Sequence, residues 1–290
     1  MNILVTGSNG QLGSEIKDVS ASYKSFRFFF MDLPALDICN SSQLDLFIAK
    51  NKIHTVINCA AYTAVDAAEE NAVIAEQING AGVLNLVHAL TKVNGKLIHI
   101  STDYVFDGNV FLPYQESDKT NPIGVYGKTK RNGELAVING DIDGIVIRTS
   151  WLYSAYGTNF VKTMQRLGKE RNELNVIYDQ LGTPTNASDL AKTCLDILAY
   201  SKETNINAKG NVYHYSNEGV ASWYDFAKSI MELGKIDCEV IPIETKDYPT
   251  AAKRPHFSVL NKAKIKNDFE IEIPYWRASL ARCISKLNQE

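Results

Sequence analysis

Five short apolar runs recur through the first half of the chain and narrow what it can fold into. They are "NILVTG" (2–7), "FRFFFMD" (26–32), "HTVINCA" (54–60), "KLIHIST" (96–102) and "DGIVIRTS" (143–150). Each is nearly continuous rather than alternating, the pattern of a strand buried on both faces. Amphipathic stretches such as "SQLDLFIAKN" (42–51) and "VLNLVHALTKV" (83–93) lie between them, with apolar residues three and four apart. Strand and helix repeating at this interval predict βαβ units and an α/β fold with a doubly wound, Rossmann-type parallel sheet.

The character changes after "RTSWLY". Aromatic-rich loops, "IEIPYW" and "AAKRPHFSVL", join shorter helical patterns at "SWYDFAKSIMEL" (222–233) and "YWRASLARCISKL" (275–287). The expected division is a dinucleotide-binding domain over 1–150 and a smaller α/β substrate domain over 151–290. Within the latter, "PTNASDLAKTCLDILAY" (184–200) is expected to return to the first domain as one of its helices.

With 290 residues, 45% of them hydrophobic, the chain can build such a core. A net charge of −3 leaves no footprint for nucleic acid or an anionic membrane. No apolar run approaches the ~20 residues that span a bilayer. "MNILVTGSNG" opens directly into a strand, which predicts no signal peptide. The five cysteines are scattered and form no Cys-x-x-Cys pair. They are expected to be small core residues of a cytoplasmic protein, and neither they nor the five dispersed histidines suggest a metal site.

"LVTGSNGQLG" (4–13) places Gly7, Gly10 and Gly13 directly after the first strand and at the mouth of a helix. Gly7 allows a tight turn, and Gly10 lets a pyrophosphate approach the backbone. Gly13 lets the helix pack closely on the sheet, while the first helical residues, Gln11 and Leu12, offer N–H groups to anionic oxygens. Asp32 ends the second strand, where an acid bonds the ribose hydroxyls of a dinucleotide. Asp37 is placed to contact the adenine edge.

"VYGKTK" (125–130) sets Tyr126 and Lys130 four apart, on one helical face. "WYDFAK" holds Tyr224 and Lys228 at the same spacing, so the pattern alone decides nothing. Context does. The fourth strand ends in "STDYVFDG", which brings Ser101, Thr102 and Asp103 to the carboxyl edge where open α/β sheets gather ligands. A hydroxyl, a phenol and an ammonium then converge beside a nicotinamide. A phenol of ordinary pKa near ~10 can protonate a ketone oxygen during hydride transfer, and a nearby cation is expected to lower that pKa. Tyr224 and Lys228 have no strand-end hydroxyl before them and read as packing and surface residues.

With these residues assembled, the chain resembles the extended short-chain dehydrogenase/reductases and, more narrowly, the dTDP-4-dehydrorhamnose reductase family. The similarity spans essentially the whole chain. It is carried by "TGSNGQLG", "NCAAYTAVDAAE" (58–69), "STDYVFDG", "YGKTK", "RTSWLY", "NFVKTM" (159–164), "DQLGTPT" (179–185) and "KRPHFSVLN" (253–261). It implies Thr102, Tyr126 and Lys130 as a catalytic trio, with Tyr126 and Lys130 also touching the cofactor, NADPH or NADH. It implies Asn58, Ala60 and Ala61 along the cofactor cleft, and Val65, Asp103, Tyr104 and Trp151 around a dTDP-linked deoxysugar. Arg254 would meet the diphosphate. Some members are homodimers with Mg2+ held by interface carboxylates. Glu15 matches one such position, but residue 189 is an aspartate and no third acid is placed, so no metal site is assigned.

Two other readings share these features: a non-catalytic dinucleotide-binding regulatory subunit, and a nucleotide-sugar epimerase or dehydratase that keeps its cofactor through the cycle. An intact Thr102/Tyr126/Lys130 set argues against the first. Stoichiometric cofactor consumption separates the second. Tyr126→Phe is expected to cost ~10²–10⁴-fold in turnover, the usual worth of general acid catalysis, while cofactor affinity stays near normal. Tyr224→Phe should be nearly silent; steady-state kinetics of both variants checks the distinction.

Overall fold

The computed structural model describes residues 1–204 and 209–289. The five apolar runs become strands β1 (Asn2–Thr6), β2 (Arg27–Met31), β3 (Thr55–Asn58), β4 (Lys96–Thr102) and β5 (Asp143–Thr149). All pair in parallel, in the order β5-β4-β3-β1-β2. Sequence order reverses between β1 and β3, which opens a crevice at their carboxyl ends.

Both faces of the sheet are covered, which is why its strands are apolar throughout. On one face Ile3, Val5, Ile145 and Ile147 pack with Leu12 and Ile16 of helix α1 (Gln11–Val19). On the other, Leu4, Val56, Leu97 and Val146 pack with Ile48, Leu86 and Val87.

The second half of the chain contributes to this same body. Residues Leu190, Ala191, Cys194 and Leu195 of the Ala187–Thr204 helix enter the α1 side of the core. A sixth parallel strand, Asn211–His214, extends the sheet beside β5. The sequence pattern did not reveal it, because "NVYH" is four residues long and only half of it is buried. The remainder forms its own core from Tyr153, Val161, Phe226, Ile230, Trp276 and Leu280, with a parallel strand pair at Glu173–Ile177 and Glu239–Ile243. Cys194 and Cys283 are buried as expected, but Cys39 is exposed. It lies in the turn before the Ser41–Lys50 helix, where Asp37 Oδ1 accepts its backbone N–H at 2.8 Å. Among the described residues no helix is long and apolar enough to cross a membrane.

One buried ion pair joins the helix that carries Tyr126 and Lys130 (Val125–Ile138) to the strands behind it. Glu134 and Arg148 are both almost fully buried. Arg148 Nε donates to Glu134 Oε1 at 2.8 Å and Nη2 to Oε2 at 2.9 Å, while Ser101 Oγ donates to Oε1 at 2.6 Å and Arg131 Nη1 to Oε2 at 2.7 Å. Burial alone would raise the Glu134 carboxyl, but these bonds outweigh it and hold the pKa below its ordinary value. Phe106 faces the Arg148 guanidinium at 5.0 Å. Glu134→Gln removes the charge that compensates Arg148 and is expected to cost about 3–5 kcal/mol of stability, read from guanidinium unfolding of the two proteins.

Candidate active site

A cleft of about 660 Å³ runs along the carboxyl edge of the sheet from Asp32 to Trp151. At its centre the chain leaves β1 through Gly7, whose φ is +62°. A Cβ there would lie 2.7 Å from the backbone nitrogen of Ala60, so only glycine lets the two strand exits meet. Gly13 lies beneath the loop; its Cβ would sit 2.5 Å from the Gly7 carbonyl. Helix α1 begins with Gly10 as N-cap and no side chain bonding its first amides, the arrangement that receives phosphate oxygens. Gln11 Oε1 is buried there without a hydrogen-bond partner. This cradle fits a dinucleotide, with Gly10 and α1 at the pyrophosphate.

At the far end of the loop Asp32 accepts the Asn9 amide at 2.9 Å and the Leu33 amide at 2.8 Å. These bonds lock its orientation at the end of β2. Asp37 lines the same end, beside Leu36 and Ile38.

Thr102, Asp103, Tyr104, Tyr126 and Lys130 meet at the middle of the cleft. Thr102 ends β4 and caps a short turn, accepting the Tyr104 amide at 3.2 Å and donating to Asp103 Oδ1 at 2.9 Å. Tyr104 packs edge-on against Tyr126, with ring centroids 5.5 Å apart. Burial raises the Asp103 carboxyl to about 6, against the bond from the Thr102 hydroxyl.

Lys130 is buried and donates to the Ile100 carbonyl at 2.6 Å. Burial lowers its pKa to about 8, opposed by the charge of Glu134 one turn away. The expected lowering of the phenol by this ammonium is not seen. Burial pushes Tyr126 up instead, and the countervailing influence is the Thr102 hydroxyl. The side chain is desolvated, and desolvation penalises a phenolate.

Gly7, Gly10, Gln11, Leu12, Ala60, Ala61, Val65 and Trp151 also line the cleft; Gly13, Asn58 and Arg254 do not. Asn58 Oδ1 accepts from Thr6 Oγ1 at 2.6 Å and its Nδ2 lies 3.1 Å from His99 Nδ1, so it ties the ends of β1 and β3 to the middle of β4. Arg254 forms a two-point pair with Asp66, at 2.7 and 3.2 Å. Tyr224 and Lys228 lie outside the cleft, on the Trp223–Gly234 helix.

Trp151 has φ +48°, a left-handed conformation that costs a non-glycine residue about 1–3 kcal/mol. The Ser150 hydroxyl donates to Thr183 O at 2.8 Å and Trp151 O accepts from Thr185 N at 3.1 Å, which hold the backbone there. Sequence reasoning missed Gly157, Thr158 and Asn159, which reach the cleft from the second half. They carried no recognisable signal beyond a Gly-containing turn. It also missed Asn79, whose amide bonds both the Tyr62 backbone and Thr129 Oγ1 and so braces the Tyr126 helix.

A family model described as the RmlD substrate binding domain matches residues 1–289. The dTDP-4-dehydrorhamnose reductase of Aggregatibacter actinomycetemcomitans is 39% identical over 284 residues, 96% of each chain. The chain belongs to the dTDP-4-dehydrorhamnose reductase family. Two solved structures of that family superpose closely. The enzyme from Clostridium acetobutylicum is 42% identical with a TM-score of 0.92, covering 99% of this chain and 100% of its own. That from Bacillus anthracis, solved in complex with NADP, is 37% identical with a TM-score of 0.92, covering 98% and 99%.

Burial depresses the pKa of Lys130, which lines the cleft of this member of the dTDP-4-dehydrorhamnose reductase family. The ammonium is charged below about pH 8 and neutral above it. The value of kcat/KM for the cofactor is therefore expected to fall as pH rises through about 8. A profile flat across about pH 7 to 9 would count against it.

Proposed function

We propose that this chain reduces the C4 ketone of dTDP-4-dehydro-L-rhamnose to dTDP-L-rhamnose, using NADPH and also NADH. The observation that carries the reading is the convergence of Thr102, Tyr126 and Lys130 beside the glycine loop, in a chain of this family. The bound nicotinamide supplies a hydride to C4. Thr102 holds the ketone oxygen, and Tyr126 gives up its phenolic proton as negative charge develops there. Burial favours the neutral phenol, so the acid is loaded before the step. Lys130 contributes a positive charge beneath the ribose and the phenol. Val65, Asp103, Tyr104 and Trp151 surround the sugar. Arg254 is assigned to the diphosphate on the resemblance; its guanidinium fork is paired with Asp66 here and would exchange that partner for phosphate oxygens.

No magnesium is assigned. Glu15 accepts from Ser154 Oγ at 2.6 Å and faces Lys286 Nζ at 3.4 Å, while Asp189 accepts from Arg282, Ser279 and Asn217. Internal cations already neutralise both acids. The homodimer implied by the resemblance is proposed on that ground alone.

Cofactor choice turns on Asp32. Its carboxylate suits the two ribose hydroxyls of NADH and repels a 2′-phosphate. Arg27 stands at the other end of β2, over the Phe29 ring at 5.2 Å. Supplying dTDP-4-dehydro-L-rhamnose with NADPH or NADH should give loss of nicotinamide absorbance and a stoichiometric yield of dTDP-L-rhamnose. Absence of that product with both cofactors sinks the reading. Asp32→Ala is expected to raise NADPH efficiency relative to NADH; an unmoved ratio would mean that Asp32 does not contact the ribose.

A further inference from the structure

We propose that Gly182 and Trp223, neither of which lines the cleft, are positioning residues that fix the Trp151 indole and so determine how the sugar ring is seated. This rests on the proposed role of Trp151 as a wall of the sugar site.

Trp151 meets the cleft on one side and the core of the second half on the other. Its indole is stacked on Trp223 with centroids 3.7 Å apart and planes within 10°. Behind Trp223 lies Phe160, at 4.6 Å, and behind Phe160 lies Phe226, at 5.5 Å. The face of the wall is therefore backed by a continuous aromatic column rooted in a packed core. The edge is fixed differently. A Cβ on Gly182 would fall 2.6 Å from Trp151 Cε2, 2.8 Å from Cζ2 and 2.9 Å from Ser258 Oγ. The ring edge occupies the space that a side chain at 182 would need.

The fold supplies both contacts through one small element. Leu181–Gly182 pairs antiparallel with Ala221–Ser222, Gly182 lying opposite Ala221. Trp223 follows at once as the first residue of a helix whose N-terminus is fixed by a capping box between Ser222 and Asp225. Edge and face restraints thus come from two strands in register and move together. Gly182 has no left-handed backbone to explain it; its requirement is space. The stack on Trp223 and the space left by Gly182 confine the indole on its face and its edge.

Seating the ketone against Tyr126 and Thr102 is sensitive to displacement, since an error of about 1 Å can cost on the order of 100-fold. Gly182→Ala pushes the ring edge toward the cleft, and Trp223→Leu removes the stacking face. Each is expected to lower kcat/KM for dTDP-4-dehydro-L-rhamnose by roughly tenfold or more, while the dissociation constant for NADPH, read by nicotinamide fluorescence, stays unchanged. Trp223→Phe keeps an aromatic face and should restore most of the loss. Its recovery separates positioning from mere stability, and unfolding midpoints of all variants accompany the kinetics.

Unchanged kcat/KM for the sugar in Gly182→Ala and Trp223→Leu, with Trp151→Ala still impaired, overturns the positioning role and leaves the sugar wall standing. Equal loss of cofactor and substrate affinity in Gly182→Ala also overturns it. An unimpaired Trp151→Ala removes the wall itself, and this inference with it.

Discussion

The carboxylate of Glu134 is the constraint on which the site geometry depends. It gathers Ser101 from the end of β4, Arg148 from β5 and Arg131 from its own helix, and Arg148 in turn reaches His214 on the sixth strand at 3.3 Å. Ser101 precedes Thr102, and Glu134 stands one turn beyond Lys130. The strand end that carries Thr102 and the helix that carries Tyr126 and Lys130 are thus tied together through one buried charge. A hydrophobic substitute could pack as well, but it could not specify a two-point geometry between strand and helix.

The same economy of parts appears in the electrostatics. Lys130 is desolvated enough to have its proton loosened, yet Glu134 keeps some of its charge favourable. Tyr126 is desolvated in the opposite sense, because for a phenol the neutral form is the protonated one. One dry environment thus favours the protonated phenol and the neutral amine alike. Asp103 shares that environment, and its carboxyl is pushed up by the same burial.

Much of this was legible in the sequence, because the informative signals are local. A strand running into three glycines, an acid at the end of the next strand, and a Tyr/Lys pair after a strand-end threonine each report their own surroundings. Fifteen of eighteen expected site residues line the cleft, the three outside it being Gly13, Asn58 and Arg254. The partners that hold Asn58 and Arg254, Thr6 and His99 in one case and Asp66 in the other, were not legible because they are distant in the chain. The Trp151–Trp223 stack was illegible for the same reason. The phenol's response was missed because spacing shows which charges are near but not how much water has been removed. The decoy pair at Tyr224 and Lys228 shows the converse: identical spacing acquires meaning only from what the fold sets beside it.

The late return of the chain to its first sheet has a consequence for how the molecule is made. Synthesis runs from the N-terminus, and domains tend to fold as they emerge. Here the first five strands are complete by residue 149, but the helix that covers α1 spans Ala187–Thr204 and the strand that covers β5 spans Asn211–His214. For some sixty residues of elongation, counted from Thr149 to His214, the α1 side of the nascent sheet lacks Leu190, Ala191, Cys194 and Leu195, and β5 lacks its outer neighbour. The first half of the chain therefore cannot complete its own core, and closure of the sheet's apolar face waits on residues from the second half.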